Sequence, residues 1–420
     1  MQINKIHIKN FRGFEEKSFN LNPHFTVAIG DNGTGKSTLL QAIQVAAGAF
    51  FLGLPKVVSR RHIQENEIRF AINRISKQAE YFTPTIVEAT GQINGTDEII
   101  WRRVVSEYGK ANSTKNEDIG TIRDIAINYT NALNSTSRPQ LPIIAFYGVR
   151  QLGGNDIRKK RVKKNRLIIR DGYYNALGAK VDADPVTQWF YYYDEELKED
   201  REFKGTFEAV IEAIGLAIPY LKNIAFDNFR LELVADCEIE GQETRRLPHS
   251  LMSDGVKRML GIVTDIAYRC AILNGFLGYK AVQESHGIVM IDELDMHLHP
   301  NWQRFVVNDL KKAFPNIQFV VTTHSPFIVQ SVESDELINL DFIMDIPPNE
   351  LKIDEVATEV MGVDSPFAIE NEEKYKHAKR ILTMLEDGSS SNEINKELDE
   401  ITDPGLRAFL ELNKLSKGKR

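Results

Sequence analysis

Cysteine is almost missing from this chain: Cys237 and Cys270 are the only two in 420 residues. That excludes a disulfide framework and, at this spacing, a cysteine metal knuckle. Each thiol is expected to be a small buried hydrophobe in a reducing compartment. Long apolar runs are lacking too; none approaches the roughly 20 residues a helix needs to cross a bilayer. The N-terminus opens into patterned sequence, not a basic-then-apolar leader. Net positive charge is absent, with 52 Lys and Arg against 59 Asp and Glu for a formal −7, so contact with nucleic acid needs a local patch. These absences predict a cytoplasmic protein with no membrane contact. The 42% apolar and 26% charged content is that of a globular chain with room for two or three lobes.

What is present is a complete phosphate loop, Gly30-Asp31-Asn32-Gly33-Thr34-Gly35-Lys36-Ser37. It follows an apolar run, Phe25 to Ile29, and enters a helical pattern beginning Thr38-Leu39-Leu40, the strand–loop–helix context that such a motif requires. Glycines let backbone N–H groups curl around phosphates, and the helix N-terminus adds a favourable dipole. Lys36 can reach the β- and γ-phosphates, and the Ser37 hydroxyl can ligate Mg2+.

Along the rest of the chain, residues 2–8 predict an edge strand, followed by a turn at Asn10-Phe11-Arg12-Gly13-Phe14. A long helical region is expected from the phosphate loop to about residue 80. Residues 84–105 read as a hairpin with Asn94-Gly95 at its turn, and residues 107–120 as polar and irregular. Pro142 to Gly148 is a buried-strand pattern ending in Val149-Arg150-Gln151. Aromatic and acidic helices are expected around Trp189 to Glu202, and a second hairpin over 222–247 with Glu240-Gly241 near its turn. The 256–274 stretch is a helix with Met259, Leu260, Val263, Ile266, Ala267 and Cys270 on one face. Buried strands at 287–291 and 317–321 flank a helix with Pro300 early and Trp302, Phe305, Val306 and Leu310 inside, a unit of parallel sheet. The tail beyond residue 370 is helical and polar, broken at Gly388-Ser389-Ser390-Ser391.

Four further pieces bear on phosphate chemistry. Ile288-Val289-Met290-Ile291-Asp292-Glu293 delivers two carboxylates at a strand end, where Asp292 can hold Mg2+ and Glu293 can orient an attacking water. Thr322-Thr323-His324-Ser325-Pro326 ends the next strand and places His324 where it can hydrogen-bond a γ-phosphate. Asp295-Met296-His297-Leu298-His299-Pro300 follows the acidic pair; without a carboxylate–His spacing, its two histidines read as loop packing at a subunit boundary and not as a metal pair. Leu251-Met252-Ser253-Asp254-Gly255 opens the striped helix, and two readings of it stand together: an N-cap and a second phosphate-binding helix end.

In this order, the pieces resemble an ABC-type ATPase of the SMC, RecF and OLD-nuclease group. The resemblance rests on Ile8 to Phe14, the phosphate loop, Ser253-Asp254-Gly255, Asp292-Glu293, Asp295 and His324. Leu141 to Gly148, Asp171 to Leu177 and Asp292 to Pro300 are further similar to the ATPase subunit of Septu-type antiphage systems, to which retron-associated ATPases are related. The resemblance implies an α/β head with a mixed or parallel phosphate-loop sheet, an antiparallel β lobe and a helical insertion. It implies ATP and Mg2+ as ligands, with Arg12, Asn32, Gly33, Thr34, Gly35, Lys36, Ser37, Thr38 and Gln151 at the nucleotide, Gln151 being preferred to Gln64. Ser37, Asp292 and Gln151 would surround the metal, and Glu293 and His324 would act on the γ-phosphate. Two heads would sandwich ATP in a homodimer or higher oligomer, with Ser253 and Gly255 acting in trans and Asp295 coupling the sites. In the Septu case the partner is an HNH nuclease.

Asp254 replaces a glycine of the transporter pattern and puts a carboxylate near the phosphates. The long interval from Lys36 to Ser253 has no sustained heptads for coiled-coil arms. It predicts an N-terminal lobe over 1–150, a helical insertion over 151–222, a C-terminal lobe over 223–345 and a tail over 346–420. The insertion carries Arg158-Lys159-Lys160-Arg161-Val162-Lys163-Lys164-Asn165-Arg166, seven basic residues in nine. A solvated loop, a phosphate-backbone contact and a segment ordered by a partner are all open for it. That run sustains a second function, a DNA-binding repair or maintenance ATPase of the SMC and RecF type. No HNH pattern occurs, and Asp182-Ala183-Asp184, which precedes Pro185, reads as a turn and not as a nuclease centre.

Overall fold

The computed structural model describes the chain except residues 56, 58–60, 110–115, 134–137, 150–168, 179–182, 194–203, 239–242, 342–346, 365–368, 387–390, 402–403 and 418–420. Gln151, the basic run 158–166, Asp182, Glu240-Gly241 and most of the Gly388–Ser391 break lie outside the described residues. The contacts divide the chain into two compact units, Met1–Ile353 and Asp354–Arg420.

The first unit is built on three sheets and a small hairpin. Its strands are β1 (Gln2–Phe11), β2 (Phe14–Asn20), β3 (Phe25–Ile29), β4 (Phe70–Ile72), β5 (Ala79–Tyr81), β6 (Thr85–Gln92), β7 (Ile99–Val105), β8 (Ile143–Tyr147), β9 (Leu221–Asp227), β10 (Glu232–Cys237), β11 (Arg245–Pro248), β12 (Gly287–Ile291), β13 (Ile317–Thr322) and β14 (Leu337–Asn339). Its helices are α1 (Lys36–Ala47), α2 (Asn116–Leu133), α3 (Ile169–Gly172), α4 (Ala183–Tyr192), α5 (Thr206–Ala217), α6 (Asp254–Asn274), α7 (Pro300–Gln303), α8 (Val306–Ala313) and α9 (Pro326–Val329).

The organising sheet runs β14-β3-β13-β12-β8 and is parallel throughout. Every residue of β3, β8, β12 and β13 is buried, as expected of continuous apolar runs covered on both faces. Parallel register brings the carboxyl ends of all five strands to one edge, where α/β sheets bind ligands. Ile291 lies opposite both Tyr147 and Val321, Thr322 opposite Ala28, and Asn339 opposite Ile29. The second sheet, β2-β1-β6-β7, is antiparallel. Helix α1 touches β6 and β7 on one side and β12 and β13 on the other, so the phosphate-loop helix is the core between two sheets. Trp101 Nε1 pins it by donating to the Ala46 carbonyl at 2.9 Å. The buried Gln318 amide joins the sheets by exchanging two hydrogen bonds with Ile3, 2.8 and 2.9 Å.

This is the expected α/β head, with several local corrections. β1 is an interior strand, not an edge, because β6, more than seventy residues on, pairs with its open side. The helix from the phosphate loop stops at Ala47, not near residue 80. Phe70 and Ile72 alternate on a strand, as β-branched and aromatic residues favour, and β4 pairs with β5. The 84–105 hairpin forms as expected, with Asn94 and Gly95 at φ +46° and +76°. Irregular structure expected through residue 120 gives way to α2 at Asn116.

Ala183 to Pro185 opens α4, Pro185 taking the first turn where its missing N–H costs nothing. The 222–247 region is a three-stranded meander, β9-β10-β11. The helix after Pro300 is two: Phe305 N closes on Trp302 O at 2.9 Å, and α8 starts afresh, leaving Phe305 53% exposed instead of inside. Helix α6 is buried nearly all round. With its continuation to Lys280 it is long and apolar enough to span a bilayer, but 83% of that window is inside the fold. Both cysteines are buried free thiols.

The second unit carries helices Ile369–Glu386, Ser391–Asp399 and Pro404–Lys417. They pack around Ala378, Ile381, Ile394, Leu398, Ile401 and Leu410.

Candidate functional site

The loop after β3 is shaped by its glycines. Gly30, Gly33 and Gly35 have φ +147°, +89° and +112°, a region that L side chains rarely adopt. A Cβ on Gly35 would also sit 2.5 Å from Cζ of Phe14, so the β1–β2 turn lies directly against the loop. Asn32 and Gly33 are exposed, and Thr38 is half-buried on the first turn of α1. Thr34 Oγ1 donates to Asp31 O at 2.9 Å. Lys36 Nζ lies across the loop, donating to Gly30 O at 2.6 Å and Asp31 O at 2.9 Å. Burial lowers the Lys36 ammonium below its ordinary pKa, against the opposing carboxylates of Asp341, Asp31, Asp292 and Glu293.

Across the sheet edge, Ser37 Oγ stands 3.2 Å from Asp292 Oδ2. Asp292 Oδ1 accepts from Thr322 Oγ1 at 2.7 Å, and that hydroxyl in turn accepts from Glu293 N at 2.8 Å. One threonine at the end of β13 therefore orients both acidic residues at the end of β12. A hydroxyl and a carboxylate converging this closely form the all-oxygen set that suits Mg2+. Glu293 is half-buried with φ +51°. His324 is exposed. Its backbone N donates to Asp295 Oδ1 at 3.2 Å, as Thr323 Oγ1 does at 2.5 Å, so Asp295 fixes the root of the histidine loop. Ser325 Oγ donates to Gln303 Oε1 at 2.6 Å while accepting from Phe327 N and Ile328 N.

The Ser-Asp-Gly turn is held from the same loop. A Cβ on Gly255 would lie 2.2 Å from the His297 carbonyl oxygen, and His297 itself has φ +63°. Glycine is required at 255 by this close backbone approach within the chain. Gly255→Ala is expected to cost about 1–3 kcal/mol, read as a lower urea midpoint at unchanged slope. Ser253 occupies the N-cap position of α6 but makes no side-chain cap bond, and it is exposed. His299, in contrast, caps α7, Nδ1 accepting from Asn301 N at 3.2 Å.

Arg12 lies elsewhere in the bonding: its Nη2 pairs with Glu67 Oε1 at 3.1 Å and its N–H with Glu67 O at 2.7 Å, where half-buried Arg12 and Arg61 both pair with the buried Glu67. Burial pushes the Glu67 carboxyl up, but the Arg61, Gln64 and Arg12 bonds outweigh it and hold the pKa below its ordinary value.

The structure thus brings together Lys36, Ser37, Asp292, Glu293, Asp295 and His324 at one edge. Gly255 is packed against the His297 loop, and among the described residues neither it nor Ser253 hydrogen-bonds to the phosphate loop. Three participants escaped the sequence reasoning. Thr322 looked like a strand terminus. Arg258, 3% exposed, reaches from α6 to Asp292 O at 2.8 Å and Leu294 O at 3.4 Å; an arginine beside the apolar stripe of α6 was its only signal. Asp341 had none.

Behind the site, Asp292 N donates to Tyr147 O at 2.8 Å. Tyr147 Oη donates to Asp265 Oδ2 at 2.7 Å, and Arg269 Nε to the same oxygen at 2.8 Å. Arg269 also donates to Gly172 O at 2.8 Å and Tyr174 O at 3.3 Å.

Residues 5–222 match the AAA domain family. Residues 224–330 match a further AAA domain family, described as a putative AbiEii toxin of a type IV toxin–antitoxin system. The chain is 26% identical to the retron Ec83 probable ATPase of Escherichia coli, over 80% of this chain and 71% of that protein. It is 35% identical to the Septu protein PtuA of Bacillus thuringiensis, over 28% of this chain and 34% of that protein. A solved SMC head domain from Thermotoga maritima covers 83% of this chain and 97% of its own length at 15% identity, with a TM-score of 0.44.

Proposed function

The chain belongs to the AAA domain family and is a P-loop ATPase, and on that premise we propose that it works as a cytoplasmic, dimerising head whose ATP-driven closure controls a nuclease partner in antiphage defence. The observation that carries hydrolysis is the Ser37–Asp292–Thr322–Glu293 chain of hydrogen bonds. Lys36 exchanges its two carbonyl acceptors for β- and γ-phosphate oxygens when ATP enters. Ser37 and Asp292 would hold Mg2+, which would supply neutralisation of phosphate charge. Glu293 orients the attacking water, and His324, exposed on a loop rooted by Asp295, hydrogen-bonds the γ-phosphate.

Closure between two copies is supported by Ser253. A serine at a helix N-terminus that leaves its hydroxyl unused by its own helix is available to the phosphates of a second chain. The defence role is supported by the relatives' names, a retron ATPase and a Septu protein, and the HNH-type nuclease partner is what the Septu resemblance implies.

The test uses paired variants of the full chain. Glu293→Gln with ATP and Mg2+ is expected to elute with at least twice the monomer mass by light scattering, and with ADP to lose that species. Ser253→Arg and Lys36→Ala, each inactive alone, are expected to regain ATPase activity on mixing, because one chain supplies the loop and the other the serine. A monomeric Glu293→Gln and no recovery on mixing would overturn the two-copy site.

A further inference from the structure

Asp341 follows β14 and is distant in sequence from everything else at the site. β14 pairs in parallel with β3, Asn339 opposite Ile29, and Leu340 N donates to Ile29 O at 3.0 Å. That register carries the Asp341 carboxylate, 310 positions along the chain, to the first peptide of the phosphate loop: Asp31 N donates to its Oδ2 at 2.7 Å. The other end of the same peptide unit, Gly30 O, accepts from Lys36 Nζ at 2.6 Å. One peptide plane is therefore clamped between a carboxylate on its N–H and an ammonium on its C=O. Both bonds are charge-assisted and polarise the peptide in the same sense.

Asp341 is itself oriented, its N–H donating to Asn339 Oδ1 at 3.0 Å. Gly30 cannot be replaced without disturbing this contact, since a Cβ there would lie 3.1 Å from Asp341 Oδ2 and 2.6 Å from Thr34 Oγ1. A glycine at φ +147° has little intrinsic preference for the conformation it shows; the clamp supplies it.

We propose that Asp341 is a positioning residue for nucleotide binding, acting through the Gly30–Asp31 peptide to hold the phosphate loop in its receiving conformation. When Lys36 leaves Gly30 O for a phosphate, the Asp31–Asp341 bond keeps the peptide from turning after it. Unclamped, the loop must be ordered by the nucleotide itself, and affinity falls by that entropy. Chemistry, once ATP is bound, is little affected. The role needs an acceptor at the side-chain tip, which asparagine also offers.

The inference rests on the ATPase reading and is tested on the full chain with MANT-ADP, then with ATP in steady state. For Asp341→Ala the expected Kd for MANT-ADP and KM for ATP rise about tenfold, equivalent to about 1.4 kcal/mol, while kcat stays within about threefold. Asp341→Asn recovers most of the affinity. The residue is exposed, so both variants fold, and an unchanged thermal midpoint confirms it. A Kd for Asp341→Ala within about twofold of wild type, or an Asp341→Asn as weak as the alanine variant, overturns the clamp. Failure of the wild-type chain to bind MANT-ADP would instead overturn the nucleotide site as a whole.

Discussion

Glu293→Gln lowers kcat for ATP hydrolysis about 10²–10⁴-fold, the range over which a positioned general base contributes, with ATP affinity held or raised. The geometry separates these two effects. The contact that fixes residue 293 is its backbone N–H on Thr322 Oγ1 at 2.8 Å, which the substitution leaves in place. The side chain changes by one atom and one charge, so the polarised water is lost and the loop is not. Affinity does not fall, because the substitution removes one carboxylate charge facing Lys36 while keeping the shape of the side chain, and the Glu293 side chain, unlike that of Asp341, holds no peptide of the phosphate loop. The left-handed backbone at Glu293, φ +51°, costs about 1–2 kcal/mol for a residue with a Cβ; it turns the carboxylate out of the line of β12. Single-turnover phosphate release together with MANT-ATP binding measures both quantities. A kcat within about threefold of wild type would show that the water is oriented by another group.

How far the site was legible follows from how local its determinants are. The phosphate loop, Asp292-Glu293 and Thr322-Thr323-His324 each sit at the end of a short apolar run, and each run became a fully buried parallel strand. Local sequence therefore placed them, and the resemblance to retron and Septu ATPases, drawn from Leu141 to Gly148, Asp171 to Leu177 and Asp292 to Pro300, is borne out by the relatives. What failed was non-local. β1 read as an edge because nothing in its ten residues announces β6. Asp341 was invisible because its meaning depends on β14 docking beside β3. The glycine of the Ser-Asp-Gly turn was read for a phosphate in trans; the structure adds a requirement within the chain, the His297 carbonyl 2.2 Å from where a Cβ would sit. The helix overextended to residue 80 failed for a local reason: it stops at Ala47, with Gly48 at its C-cap and Pro55 seven residues on.

The buried pair behind the site carries the largest expected effect on stability. Asp265 and Arg269 have side chains 3% and 7% exposed. Burial lowers the pKa of the Arg269 guanidinium, but Asp265 and Tyr147 outweigh it and hold it above its ordinary value. The Tyr147 hydroxyl is pushed well above its ordinary pKa, by burial and then by Asp265, so it stays a donor. Asp265→Ala removes that carboxylate and leaves a buried cation whose remaining hydrogen-bond partners among the described residues are the carbonyls of Gly172 and Tyr174. Breaking one side of such a pair costs about 3–5 kcal/mol, a large share of the roughly 5–15 kcal/mol that holds a domain folded. Urea unfolding is expected to show that loss as a lower midpoint.

Tyr147→Phe, which leaves the ion pair whole, costs only about 0.5–1.5 kcal/mol. Replacing Asp265 by leucine and Arg269 by methionine together recovers much of the difference, since the desolvation of both charges disappears with their attraction. An Asp265→Ala midpoint within about 1 kcal/mol of wild type would mean that water reaches Arg269 and that the network is not a closed one. The same substitution has a consequence at the edge of the sheet. Tyr147 holds Asp265 by its hydroxyl and Asp292 N by its carbonyl, 2.7 and 2.8 Å. Loosening α6 from β8 therefore acts on Asp292, the residue proposed to hold Mg2+, and turnover in Asp265→Ala should fall even at temperatures where the chain remains folded.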